Sequence, residues 1–179
     1  MYIGASIGVM GSAGVIDGAE DCLFELAERL GRTIAERRCV LVTGATTGLP
    51  EMVARAARSH GGITVGISPA MNRQEHVELY RLPLDANDII IYTGFGLKGR
   101  NVINIRSSDV VIIFGGGMGT LNEFTIAHDE GKVVGVLEGS GGVADQIREI
   151  VRLSRKPAKA KVFYHREPEQ LVESCLSGL

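Results

Sequence analysis

A glutamate one turn into a helix, behind a loop of glycines, can do two kinds of work in the stretch FGGGMGTLNE, residues 114–123. The stretch joins VVIIF, a strand-like apolar run, to FTIAHDEG, which reads as a helix. Glycines at a strand-to-helix turn let a ligand approach the backbone, and N–H groups at a helix start suit a phosphate or other anion. Gly115, Gly116, Gly117, Gly119 and Thr120 are therefore candidate phosphate-binding residues. A carboxylate beside a bound sugar can stabilise developing positive charge and position water, which makes Glu123 a candidate for chemistry. The same Thr120-Leu-Asn-Glu123 spacing also reads as a capping box, worth about 1 kcal/mol of helix stability. Capping accounts for the threonine and the glutamate. It leaves GGGMG unexplained, because surplus glycines lose backbone entropy on folding.

Two more glycine-rich loops follow strand-like runs. GVMGSAG (8–14) offers Gly11 and Ser12, and GATTG (44–48) offers Gly44 and Gly48 as further phosphate-binding candidates. A dinucleotide fingerprint is absent: the glycines at 8, 11 and 14 have the wrong spacing, and VLVTGATT ends the second run without an acid for a ribose diol. There is no G-x-x-x-x-G-K-[ST] loop. His60, His76, His128 and His165 form no short ligand spacing, so neither a metal nor a cofactor is expected.

Alternating elements must hold these loops. Apolar runs at 3–9, 39–43, 63–68, 88–92, 110–114, 133–137 and 161–164 read as strands. Helical patterns run from Ala19 to Glu36, from near Pro50, over 98–107, from Thr120 to Glu130, over 142–154 and along the C-terminal stretch. Continuous Val/Ile runs imply strands buried on both faces, hence an α/β fold: a doubly wound, mostly parallel, Rossmann-like sheet of about seven strands. One domain over 1–179 is expected, with 69–87 an irregular loop or lid near the site. Asp109 is read as a junction cap without chemistry.

The 179 residues carry a formal net charge of −2, which leaves no basic footprint for nucleic acid. No apolar run reaches membrane-spanning length, and the apolar N-terminus reads as a first strand and not a signal peptide. Cys22, Cys39 and Cys175 show no CxxC spacing and read as buried thiols in a reducing cytoplasm. The expected partner is a small-molecule nucleotide, with no nucleic acid and no membrane.

GGGMGTLNE is similar to the PGGxGTxxE motif of the LOG (LONELY GUY) phosphoribohydrolases, long mislabelled as lysine decarboxylases. Those enzymes carry an arginine fifteen residues before that motif, and Arg100 stands fifteen before Gly115. GLPEMVARAARSHGGITVGISP resembles their GLMGxVAxxAxxxGGxVxGIIP segment. The likeness covers roughly residues 1–150. Gly115 replaces the motif's proline, Glu51 stands where a glycine is expected, and Asn101 replaces a lysine. The short helix after Glu123 and EGSGG (138–142) look more like the compact molybdenum-cofactor carrier proteins of the same superfamily. The resemblance implies hydrolysis of the N-glycosidic bond of a nucleoside 5′-monophosphate, with Arg100 and Glu123 catalytic and the glycine loop on the 5′-phosphate. The alternative it implies is a carrier that binds a phosphate-bearing cofactor without chemistry. It also implies a homodimer or higher homo-oligomer.

Overall fold

The computed structural model describes residues 4–13, 20–154 and 159–179. The chain alternates strand and helix: β1 Ser6–Gly11, α1 Glu20–Glu36, β2 Val40–Thr43, α2 Leu49–Ser59, β3 Ile63–Ser68, α3 Arg73–Glu78 and β4 Ile89–Tyr92. It continues with α4 Gly96–Arg106, β5 Val110–Phe114, α5 Met118–Asp129, β6 Val133–Leu137, a short 3₁₀ turn at Ala144–Gln146, α6 Ile147–Ser154, β7 Lys161–His165 and α7 Pro168–Ser177.

The strands form one parallel sheet in the order β4-β3-β2-β1-β5-β6-β7. The expected doubly wound Rossmann-like α/β fold is the observed one. Its order reverses between β1 and β5, whose registers pair Gly11 with Phe114. Loops leaving those two carboxyl ends therefore open a crevice.

VVIIF reads as continuously apolar because its alternate residues meet two different helix layers. Val110, Ile112 and Phe114 pack in the cluster holding Leu30, Val53 and Leu171; Val111 and Ile113 pack in the one holding Ile105, Phe124 and Ile147. All five β5 side chains are fully buried, so Ile112→Ala would leave a cavity at a cost of about 2–5 kcal/mol.

The segment 69–87 is more ordered than expected. Asn72 caps α3 by accepting from the Glu75 N–H at 2.9 Å, and the Glu75 carboxylate accepts from the Met71 N–H at 2.9 Å. Buried His76 links the Ser68 hydroxyl (2.8 Å) to the Pro83 carbonyl (3.1 Å), tying the segment to β3. The first loop's Gly14 and the expected helix start at Ala19 lie outside the described residues. Asp109 accepts from both the backbone N–H and the hydroxyl of Ser6, joining the start of β5 to β1. Cys39 and Cys175 are buried as expected, whereas Cys22 is exposed on α1. Among the described residues no helix is long and apolar enough to cross a membrane.

Candidate active site

The crevice at the carboxyl ends of β1, β2 and β5 holds a cavity of about 500 Å³, a size suited to a small ligand. Gly11, Ser12, Gly44, Gly116, Gly117, Gly119 and Thr120 line it, as do Arg100 and Glu123. Gly48 and Gly115 do not. Gly48 supplies a left-handed residue (φ 86°) at the start of α2. Gly115 (φ 61°) gives its N–H to the Ser140 hydroxyl at 2.9 Å. Both hold turns next to the cavity.

The loop from β5 to α5 is held by side chains far off in sequence. The Ser12 hydroxyl accepts from the Gly116 N–H at 2.8 Å, and the Ser12 carbonyl accepts from the Leu49 N–H at 2.9 Å. The Thr120 hydroxyl donates to the Gly11 carbonyl at 3.2 Å. Gly116 (φ 93°) presses so close to Thr120 that a side chain there would collide with it. The helix α5 opens with Gly117 as its N-cap and has no side-chain cap. The first-turn amides of Met118, Gly119 and Thr120 therefore lack an upstream carbonyl within the helix and can meet an anion.

This start overturns the capping-box reading. Thr120 lies inside α5 rather than at its boundary, its hydroxyl is engaged with Gly11, and Glu123 reaches sideways toward α4. Glu123 Oε1 lies 3.7 Å from Arg100 Nη1 and accepts from Asn104 Nδ2 at 3.3 Å. Asn101, turned so that its amide nitrogen donates, reaches the same oxygen at 3.3 Å and the Leu97 carbonyl at 2.9 Å. Arg100 is 6% exposed and Glu123 7%. Burial pushes the Glu123 carboxyl above its usual range, against the opposing pull of Arg100, Asn104 and Lys98. Burial also draws the Arg100 guanidinium down from its ordinary value, which Glu123 counters; a guanidinium remains charged nonetheless.

Arg100 Nε and Asn104 Oδ1 are buried without a hydrogen-bond partner among the described residues. Polar groups removed from water normally find a partner, so these two are exceptions in the packing beside the cavity. The guanidinium lies against Gly44, the residue after β2, in space that only a glycine leaves open. Ala45 follows in a left-handed conformation (φ 52°), turning the chain toward α2. At 3.7 Å apart, Arg100 and Glu123 face one cavity but leave no room for a sugar between them. Glu51 turns away from the cavity and pairs with Arg55 at 2.8 Å. Lys98, Asn101 and Asn104 complete the polar surroundings; only Asn101 was singled out by the sequence, as a departure from the LOG pattern.

Fold and crevice together define a Rossmann-like α/β protein with its candidate site at the topological switch point. The model of the SLOG cluster4 family matches residues 4–172, and the chain belongs to that family. An uncharacterised protein of Archaeoglobus fulgidus is 41% identical over 128 residues, covering 70% of this chain and 78% of that one. The cytokinin riboside 5′-monophosphate phosphoribohydrolase of Mycobacterium tuberculosis is 37% identical over 111 residues, covering 61% of this chain. That match spans 56% of the mycobacterial protein, little more than half its length. The solved molybdenum cofactor binding protein of the phototrophic bacterium Rippkaea orientalis is 33% identical with a TM-score of 0.75, covering 97% of this chain and 96% of that one. The chain thus sits in the LOG-like superfamily, near its compact, molybdenum-cofactor-carrier-like branch.

Proposed function

We propose that the chain binds a nucleoside 5′-monophosphate and hydrolyses its N-glycosidic bond to free base and ribose 5-phosphate. The observation that carries the reading is the buried Arg100–Glu123 pair, opening into the same cavity as the uncapped first turn of α5. The phosphate takes the amides of Met118, Gly119 and Thr120, which directs the ribose toward Glu123. As the C1′–N bond breaks, positive charge grows on the sugar, and the Glu123 carboxylate stabilises it. Water adds its oxygen to C1′ on the face Glu123 serves. Glu123 takes the water's proton, and the departing base nitrogen gains one from solvent. Arg100 holds the carboxylate in place.

A second reading is a non-catalytic binder of a nucleotide or a molybdenum cofactor. It is favoured by the Rippkaea protein matching nearly the whole of both chains, where the mycobacterial enzyme matches only in part. The two part on one assay. Purified protein is incubated with a panel of nucleoside 5′-monophosphates beginning with AMP, and free base is quantified by chromatography, with Glu123→Gln alongside. Base from the wild type and not from the variant establishes the hydrolase. No base from any substrate, with ligand-dependent thermal stabilisation retained, establishes the binder. In either reading the ligand is a small molecule and not nucleic acid, and the working form is a cytoplasmic homo-oligomer.

A further inference from the structure

The face that α4 turns inward is polar. Arg100, Asn101 and Asn104 are buried on it, and Ile105 is the one apolar side chain buried with them. A helix surface turned to a core is ordinarily an apolar stripe, and a buried amide is costly wherever its hydrogen bonding is incomplete. Asn104 is fully buried with its Oδ1 unpartnered, so packing alone does not account for an amide here. The three polar side chains share one target. Positions 100, 101 and 104 lie on one side of the helix. Each aims a nitrogen at Glu123 Oε1: Nη1 of Arg100 from 3.7 Å, Nδ2 of Asn104 from 3.3 Å and the turned amide of Asn101 from 3.3 Å. Asn104 Nδ2 also faces Met10 Sδ at 3.8 Å, which wedges its amide between β1 and α5.

Glu123 Oε2 is treated differently. It has no partner among the described residues, yet it is not one of the atoms sealed from water, and Glu123 lines the cavity. The carboxylate is therefore held by one oxygen and presents the other to a ligand.

We propose that Asn104, helped by Asn101, is a positioning residue: the two amides pin Oε1, so that Oε2 is the atom that takes the proton of the attacking water. The proposal rests on the reading of Glu123 as the base of a hydrolase. As the water oxygen bonds to C1′, its proton passes to Oε2, and Oε1 becomes the carbonyl oxygen of the acid. That oxygen still accepts from both amides, so nothing has to rotate between the two protonation states. Neutral donors also favour the charged carboxylate without adding charge of their own. The charged groups facing Glu123 are Arg100 and Lys98, both on α4, and among the described residues no other acid lines the cavity. Removing the Asn104 donor should thus raise the proton affinity of Glu123.

The test compares wild type, Asn104→Leu and Asn101→Leu. Base release from AMP is followed across pH, and the Glu123 carboxyl is titrated by carbon-13 NMR, its resonance assigned by its loss in Glu123→Gln. Asn104→Leu is expected to lower kcat about tenfold and to leave KM within about twofold. It should move both the low-pH limb of the rate and the carboxyl midpoint up by about one pH unit, the worth of one hydrogen bond to a charged group. Asn101→Leu is expected to act in the same direction. The melting temperature of Asn104→Leu should hold, because an unpartnered polar atom leaves with the amide. An unmoved carboxyl midpoint in folded Asn104→Leu overturns the proposal. So does a KM that rises with kcat intact, or a lower melting temperature with unaltered kinetics. If Asn104→Leu does not fold, the midpoint in Asn101→Leu decides in its place. A wild type that binds AMP and releases no base sinks hydrolysis and the proton transfer to Oε2 with it. The midpoint then decides the anchoring alone: raised in Asn104→Leu it stands, and unmoved it falls.

Discussion

The Arg100 guanidinium fills the space that a side chain on Gly44 would take, so an arginine on α4 is seated by an absent side chain after β2. Gly44→Ala should therefore act on the site and little on the fold, because what must yield is the far end of a flexible side chain. The melting temperature is expected to move by a few degrees at most, and base release from AMP to fall at least about tenfold as Arg100 is displaced from its productive geometry. Steady-state kinetics beside a thermal melt check this. Turnover at the wild-type rate would show that Arg100 is not needed where it stands.

Glu123→Gln removes the charge and keeps the shape. It is expected to lower kcat by about 10²–10⁴-fold with little change in KM, the range for a lost general base. The wild-type rate should fall with decreasing pH through a pKa above the ordinary glutamate range, since burial lifts this carboxyl and its charged form is the working one. The stability sign is opposite. A folded-state pKa raised above the unfolded value gives a contribution present below the unfolded pKa and lost as pH rises through the folded one. Rate and melting profiles of wild type and variant, measured from pH 4 to pH 8 as about the useful window, separate the two effects.

Ser12→Ala deletes the acceptor of the Gly116 N–H and keeps the backbone bond to Leu49. The expected destabilisation is about 1 kcal/mol in urea unfolding. Affinity for AMP should fall because the loop ahead of α5 loses its anchor. Unchanged affinity would mean that the loop holds its shape without Ser12.

The cysteines offer a test independent of ligand. Burial pushes the Cys175 thiol up to about 12 and also raises Cys39, while Cys22 is exposed. A thiol-reactive dye at mildly alkaline pH should label Cys22 quickly and the other two only on unfolding. Because Cys175 is raised, its contribution to stability is present below the unfolded thiol pKa of about 8.5 and is lost as pH climbs toward the folded value. Fast labelling of all three thiols in the native state would contradict the packing of α7 against the sheet.

Periodicity carried the fold well. The runs at 63–68, 110–114 and 133–137 coincide with β3, β5 and β6, because strands buried on both faces leave an unbroken apolar record. Local spacing carried the caps badly. Asn72 and Glu75 have the x-x spacing of a capping box and cap α3, although that segment reads as irregular. Thr120 and Glu123 have it too and cap nothing, because Gly11 and Arg100 engage them from other elements. The roles of Gly44, Lys98 and Asn104 were not legible. Each arises from a contact between elements distant in sequence, and nothing around the residue in the chain records it. Arg100 entered through a family spacing, and only the fold places its guanidinium 3.7 Å from the Glu123 carboxylate.

The unpartnered Nε of Arg100 and Oδ1 of Asn104 set the folding of this chain against its task. A desolvated cation and a neutral amide with incomplete hydrogen bonding are a liability to the empty protein, and well-packed apolar side chains in their place often raise stability. A chain under selection for thermal robustness alone would drift toward an oily crevice here. What such a chain would surrender is the readiness of these groups, whose water has already been stripped away when a ligand arrives.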